Sequence, residues 1–147
     1  MAFDVKEKDE PDLRSELECF PIVDPGVEIV GDRVLVQLRR EKTTSKGGII
    51  LVDETKQTLR FNETVAKVIQ LGPLAYKNLD DELSDWKEGP WCKVGDLVRT
   101  IKYGGDRFVV QPDDEGAPVV FITIQAREII SKIKSFEAAQ KMKAFVD

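Results

Sequence analysis

Residues able to do chemistry are sparse in this chain, and their spacing serves no familiar reaction. Histidine is absent from all 147 residues. That removes the Ser-His-Asp and Cys-His arrangements and every histidine-containing zinc site. Cys19 and Cys92 lie far apart and outside any CxxC pattern. Two thiolates cannot complete a four-cysteine zinc site, so reduced thiols in a reducing compartment are expected. Asp113-Asp114-Glu115-Gly116 lacks the alternating ligands and distal glutamate of a calcium loop and reads as an acidic turn. Asp80-Asp81-Glu82 offers paired carboxylates, but no second acidic cluster answers them, so a solvated loop is the better reading. Gly104-Gly105 stands outside any phosphate-loop context and reads as a turn. The residues therefore predict no enzyme, no cofactor and no metal site.

Binding chemistry is the remaining possibility. The basic run Arg39, Arg40, Lys42 and Lys46 is interrupted by Glu41 and carries no interleaved aromatic residue for base stacking. It reads as a solvated loop, and no nucleic-acid partner is expected. Net charge is −5. Most of it sits in residues 1–18, where Asp4, Glu7, Asp9, Glu10, Asp12, Glu16 and Glu18 outnumber Lys6, Lys8 and Arg14. The unusual feature is apolar. Gly47, Gly48, Ile49, Ile50 and Leu51 form the centre of an otherwise polar stretch, 40–62. Two readings stay open. One is a buried strand with a nearby partner. The other is a binding segment, disordered when free, whose large side chains dock in a groove. The glycines permit a tight turn there, and Lys42-Thr43-Thr44-Ser45-Lys46 keeps the free segment solvated.

The elements that must carry this segment are strands. In 32–40, Val34, Val36 and Leu38 alternate with Leu35, Gln37 and Arg39, which predicts a half-buried strand. In 64–71, Ala66 and Val68 fall on one face and Val65, Ile69 and Leu71 on the other. Further β-rich runs occupy 97–103, 107–111 and 119–124, separated by glycine and proline turns. Short strands in this rhythm indicate a small barrel or sandwich, an all-β class. The 73–93 stretch is too long for a hairpin turn and holds Leu74, Tyr76, Leu79, Leu83, Trp86 and Trp91. Before the strands, Leu13 and Leu17 are helically spaced, and Phe20, Ile22 and Val23 could fasten the lead-in to the body. After Ile133, Phe136, Ala139 and Lys143 share a helical face and predict a short C-terminal helix. The expected division is an acidic extension over 1–26, a barrel over 27–133 and a helical tail over 134–147. Hydrophobic content of 41% and charged content of 33% suit a globular domain. No run approaches the ~18 apolar residues of a membrane helix, so no membrane partner is expected. The charged first residues do not resemble a signal peptide, and a cytoplasmic location is expected.

Six segments, in order, resemble the co-chaperonin family (GroES-like, chaperonin-10). Asp32-Arg33-Val34-Leu35-Val36 is similar to its D-R-V-x-V strand, and Gly47-Gly48-Ile49-Ile50-Leu51 to the G-G-I-x-L of its mobile loop. The 65–72 segment resembles the next family strand, V-x-x-V-G, with extra residues before the glycine. Val94-Gly95-Asp96-Leu97-Val98 and Tyr103-Gly104-Gly105 resemble V-G-D-x-V and Y-G-G. Glu128-Ile129-Ile130-Ser131-Lys132-Ile133 resembles the closing I-L-x-I strand. Ile29 stands where the family often has proline, and the 73–93 segment is longer and more aromatic than the family's roof hairpin. The added ends and enlarged roof loop are similar to those of diverged, bacteriophage-encoded members.

The resemblance implies a small, irregular GroES-like β-barrel with a long mobile loop, an enlarged roof loop and a short C-terminal helix. It implies a co-chaperonin lid that caps a chaperonin (GroEL-like) ring and assists ATP-dependent protein folding. Gly47, Gly48, Ile49, Ile50 and Leu51 would bind the chaperonin. Val27, Ile29 and Val30 would meet Ile129, Ile130 and Ile133 of a neighbouring subunit, closing a homo-oligomeric ring that the family makes a heptamer. Tyr76, Trp86 and Trp91 would lie in the roof loop, enlarging or plugging the chamber. The alternative is a structural component of a viral particle, head or tail, that reuses the barrel. Location would be the host cytoplasm for a viral lid and the virion under the alternative.

Overall fold

The computed structural model describes residues 13–40, 63–80, 82–112 and 118–142. In chain order these form helix α1 (Glu16–Cys19), strands β1 (Arg33–Leu38), β2 (Val65–Leu71), β3 (Leu97–Thr100), β4 (Asp106–Val110) and β5 (Val119–Gln125), a 3-10 turn (Ala126–Glu128), strand β6 (Ile129–Lys132) and helix α2 (Phe136–Gln140). The class is all-β, as the alternating runs predict. The strand expected over 97–103 is shorter and ends at Thr100. Helix α2 is present at the expected place, although Lys143 lies outside the described residues.

The six strands make one sheet in the order β4-β5-β1-β2-β3-β6, antiparallel throughout. Its curvature follows from connectivity. In a flat sheet β5 and β6 would stand four strand spacings apart, or about 19 Å. The 3-10 turn that joins them spans three residues and rises only about 2 Å per residue. The sheet must therefore curl until its β6 edge comes round to the end of β5. Val34, Val36 and Leu38 then share an enclosed core with Ala66, Val68, Val98, Ile122 and Ile129.

Two departures from simple alternation have identifiable causes. β1 is buried on both faces from Val34 to Leu38 rather than on one. The lead-in covers the outer face: Leu35 packs with Ile29, Val119 and Phe121, with Val23 against them, and Gln37 Nε2 donates to the Pro21 carbonyl at 2.9 Å. In β2, Leu35 opposes Gln70 but Val36 opposes Val68, so Ile69 is an extra residue. This β-bulge reverses the parity of the strand. Leu71 consequently joins the core of Ala66 and Val68, while Ile69 remains on the outer face with Leu35.

Two glycines are required by the close passage of the backbone. A Cβ on Gly72 would collide with the carbonyl oxygens of Gly31 and Arg33. Gly105 has φ +75 and opens β4 where a Cβ would lie 2.7 Å from the Thr123 carbonyl oxygen. The lead-in helix differs from its sequence signal. Leu13 and Leu17, whose spacing predicts it, are exposed, and so is Ile22. Cys19 and Phe20 are the residues that the fold buries.

Candidate functional site

Gly47, Gly48, Ile49, Ile50 and Leu51 lie outside the described residues, as do Lys42 and Lys46. What the structure describes is the root from which that segment leaves and to which it returns. β1 ends at Leu38, and Arg39 continues its outer face. Arg39 N donates to the Val65 carbonyl at 2.9 Å, which draws the two ends of the segment together. The side chains join them more firmly. Arg39 Nε donates to Glu63 Oε2 at 2.9 Å and Nη2 to Oε1 at 3.1 Å. The third guanidinium nitrogen, Nη1, donates to the Ala139 carbonyl in α2 at 2.9 Å. Glu63 Oε1 also accepts from the backbone N–H groups of Thr64 at 3.2 Å and Val65 at 2.9 Å.

The two side chains are only 6% and 7% exposed. A pair so buried is stable only when its fork geometry is met and further hydrogen bonds support it, and here each guanidinium nitrogen has a partner. The solvated-loop expectation thus fails for Arg39. Its position was ambiguous in sequence because alternation places it on an outer face, and nothing local announces that the chain ends cover that face. The available signal was an opposite pair of charges, Arg39 and Glu63, closing off two apolar strands that pair antiparallel.

The six residues expected at a subunit boundary divide into two sets. Ile29, Ile129 and Ile133 are buried within this chain. Val27, Val30 and Ile130 are 42%, 63% and 61% exposed. The 27–30 backbone is not a strand in this chain. It is held by Gln70, whose Oε1 accepts from Ile29 N and whose Nε2 donates to the Val27 carbonyl, both at 3.0 Å. β6 pairs with β3 along one edge. Among the described residues no strand pairs with its other edge.

The roof segment folds back on the barrel. Lys77 and Asp85 form a β-bridge and an ion pair, and Trp86 N donates to the Tyr76 carbonyl at 2.9 Å. Tyr76, Trp86 and Trp91 pack edge-on or tilted, with centroids 5.1–5.8 Å apart. Tyr76 is fully buried, and its hydroxyl donates to the Ala126 carbonyl at 2.8 Å beside Cys92 Sγ at 3.4 Å. Burial, reinforced by Cys92, pushes the Tyr76 phenol well above its ordinary value. Burial likewise raises the Cys92 thiol. These aromatic residues extend the core, and the exposed apolar residues of the segment are instead Leu79 and Leu83. A shallow cleft of about 160 Å³ beside Trp86 is lined by Lys77, Asn78, Gln125 and Arg127 among others.

Asp80 serves its own turn, accepting from Glu82 N at 3.1 Å and from the Ser84 hydroxyl at 3.4 Å. Asp113, Asp114 and Glu115 lie outside the described residues. Among the described residues no group of three histidine, cysteine or acidic side chains could hold a metal, and no helix is long and apolar enough to cross a membrane.

A barrel with a long segment pinned between its first two strands is the arrangement that the six sequence motifs imply. The family model of the chaperonin 10 kDa subunit matches residues 26–133. The chain belongs to the chaperonin-10 family of co-chaperonins. The co-chaperonin GroES of Chlamydia pneumoniae is 32% identical over 108 residues, covering 74% of this chain and 91% of that protein. The co-chaperonin GroES of Chlamydia felis is 30% identical over 105 residues, covering 71% and 88%. That of Chlamydia trachomatis serovar L2 is 28% identical over 109 residues. All six strands fall inside the family match, whereas α1 and α2 fall outside it.

Proposed function

We propose that this chain is the lid subunit of a chaperonin, a ring-forming co-chaperonin that docks through Ile49, Ile50 and Leu51 and assists ATP-dependent folding. The observation that carries this reading is the buried Arg39–Glu63 pair. It fixes both ends of a polar segment whose centre is Gly-Gly-Ile-Ile-Leu, within the span of the family match. A root held by buried hydrogen bonds, bracketing large apolar residues in the sequence, suits docking in a groove on a partner.

The energetics favour many weak contacts over one strong one. Burying one such side chain contributes ~1.5–3 kcal/mol. Immobilising a segment on binding generally removes ~2–5 kcal/mol of the gross gain. A single segment therefore binds weakly, and several on one ring gain ~10²–10⁴ in avidity. Weak single contacts also let the lid depart when the partner's nucleotide state changes. Hydrolysis would belong to the partner.

The ring would close by edge pairing, with Val27 and Val30 of one subunit meeting Ile130 on the open edge of β6 in the next. Exposed apolar residues, and a β6 edge that no strand among the described residues pairs with, support this, because a free edge of that kind invites association. A heptamer is the number proposed. The test is co-sedimentation with a chaperonin double ring, with and without ATP, for the native chain and Ile50→Asp. ATP-dependent binding that is lost in the variant is expected. Equal binding by the variant refutes the docking residues, and no binding by the native chain to its cognate partner refutes the lid.

A further inference from the structure

The family match stops at residues 26 and 133, and the additions beyond both limits converge on one corner of the barrel. Cys19 and Phe20 from the first addition and Ala139 from the second share a buried cluster with Val65, Leu97 and Ile133. Phe136, Ala138 and Met142 pack against it. Gln140 Nε2 donates to the Arg14 carbonyl at 3.1 Å, which joins the additions directly. Each short helix is held by a serine cap: Ser15 Oγ accepts from Glu18 N at 3.2 Å and Ser135 Oγ from Ala138 N at 3.0 Å.

Both additions also grip the root of the 41–62 segment. Arg40 N donates to the Cys19 carbonyl at 2.8 Å. Arg39 Nη1 donates to the Ala139 carbonyl. We propose that the two additions form a single brace that locks the Arg39–Glu63 pair and holds this root shut, and that the brace thereby sets how tightly the chain caps its partner. The second half rests on the lid reading; the first does not.

The dependence is physical. A buried guanidinium nitrogen left without a partner is costly, and α2 supplies the carbonyl for Nη1. Ala139, bonded to Arg39 Nη1 and clustered with Phe20, sets the additions against a pair whose strength depends on a low local dielectric. With the root shut, the two ends of the segment stay together. An open root lengthens the tether to the docking residues, and a longer tether lowers effective concentration at a partner.

The test uses the full chain and two substitutions. Phe20→Ala cuts the brace at its largest buried side chain, and Gln140→Ala removes only the bond between the additions. Native-state hydrogen exchange is read at the amides of Arg39, Arg40 and Val65, against those of Phe108 and Phe121, which oppose each other in the β4–β5 ladder. Gln140→Ala is expected to speed the root amides roughly five- to tenfold, the worth of one hydrogen bond, with the ladder unchanged. Phe20→Ala is expected to speed them by more. Unchanged root amides in Gln140→Ala, or a rise shared equally by the ladder, overturn the brace. Chaperonin affinity is then measured on the same proteins. A loss that follows the rise in root exchange is expected, and an opened root with native affinity overturns the functional half. Should the native chain fail to cap, the lid reading falls, and exchange still decides the brace.

Discussion

Replacing Arg39 by methionine should be among the most damaging single changes to this fold. The substitution keeps an apolar stem of similar length and removes three charge-assisted hydrogen bonds, two to Glu63 and one to Ala139. Glu63 is left as a buried charge without a cation, a defect that costs about 3–5 kcal/mol. For a chain of this size each kcal/mol lowers Tm by about 2–4 °C, so a fall of roughly 6–20 °C is expected. Glu63→Gln should be nearly as severe. Its amide oxygen can still accept from Thr64 and Val65, but its amide nitrogen then confronts a donor of Arg39. The double variant removes both charges and keeps that oxygen, leaving the Ala139 carbonyl as the chief loss. It should be more stable than the two single changes added together, by about 2–3 kcal/mol, at the upper end of measured couplings. The assay is urea unfolding at one fixed protomer concentration, followed through Trp86 and Trp91, which pack against the barrel core. Additive single changes, with coupling below about 0.5 kcal/mol, would show that the pair is not the unit described.

Two further outcomes follow from the same packing. Ile130→Asp should reduce the assembly to protomers with an unchanged circular dichroism spectrum, whereas Ile129→Asp should unfold the chain because Ile129 belongs to its own core; light scattering after size exclusion separates the two, and a ring-sized Ile130→Asp sinks the edge-pairing reading. Stability should also fall in alkali. Cys92 and Tyr76 are both raised in the folded state, chiefly by burial, above ordinary values of 9.0 and 10.0. The unfolded chain therefore loses these protons first, so stability is fully present below pH 9.0 and declines as pH rises beyond it. Urea midpoints from pH 8 to 11 should show the decline, and Cys92→Ala combined with Tyr76→Phe should flatten it; an equally steep fall in that double variant would assign it to other groups.

The strands were legible because period-two alternation survives wherever one face meets the barrel interior. Val34, Val36, Leu38, Ala66 and Val68 all fall in the core that their spacing predicts. The failures occur where a contact made by a remote part of the chain overrides the local pattern. Leu71 changes face because one residue of β2 has no opposite number in β1. Gln37 and Arg39 read as surface residues, yet Pro21 and Ala139 reach them from distant parts of the chain. Tyr76, Trp86 and Trp91 are expected in a roof loop, and their packing against the core is not readable from the charged insertion that carries them. No periodicity could reveal that the insertion folds back and points them inward.

The proposed docking residues are more conspicuous in the sequence than the machinery behind them, for the same physical reason. Gly47 to Leu51 is conspicuous because apolar residues interrupt a polar run, a contrast visible within a few positions. The root is invisible at that range. Its two charges are separated by the whole segment they close, and its third partner lies near the far end of the chain. A charge at a strand end is ordinarily solvated, and surface pairs are worth little. Arg39 and Glu63 differ because they are almost wholly buried, with Ala139 of the second addition bonded to Arg39, and a buried pair is expensive to disrupt. If the additions were removed, water would reach the pair and its contribution would drop toward the surface value. The strength of the closure at the root is therefore a property of the added ends as much as of the barrel.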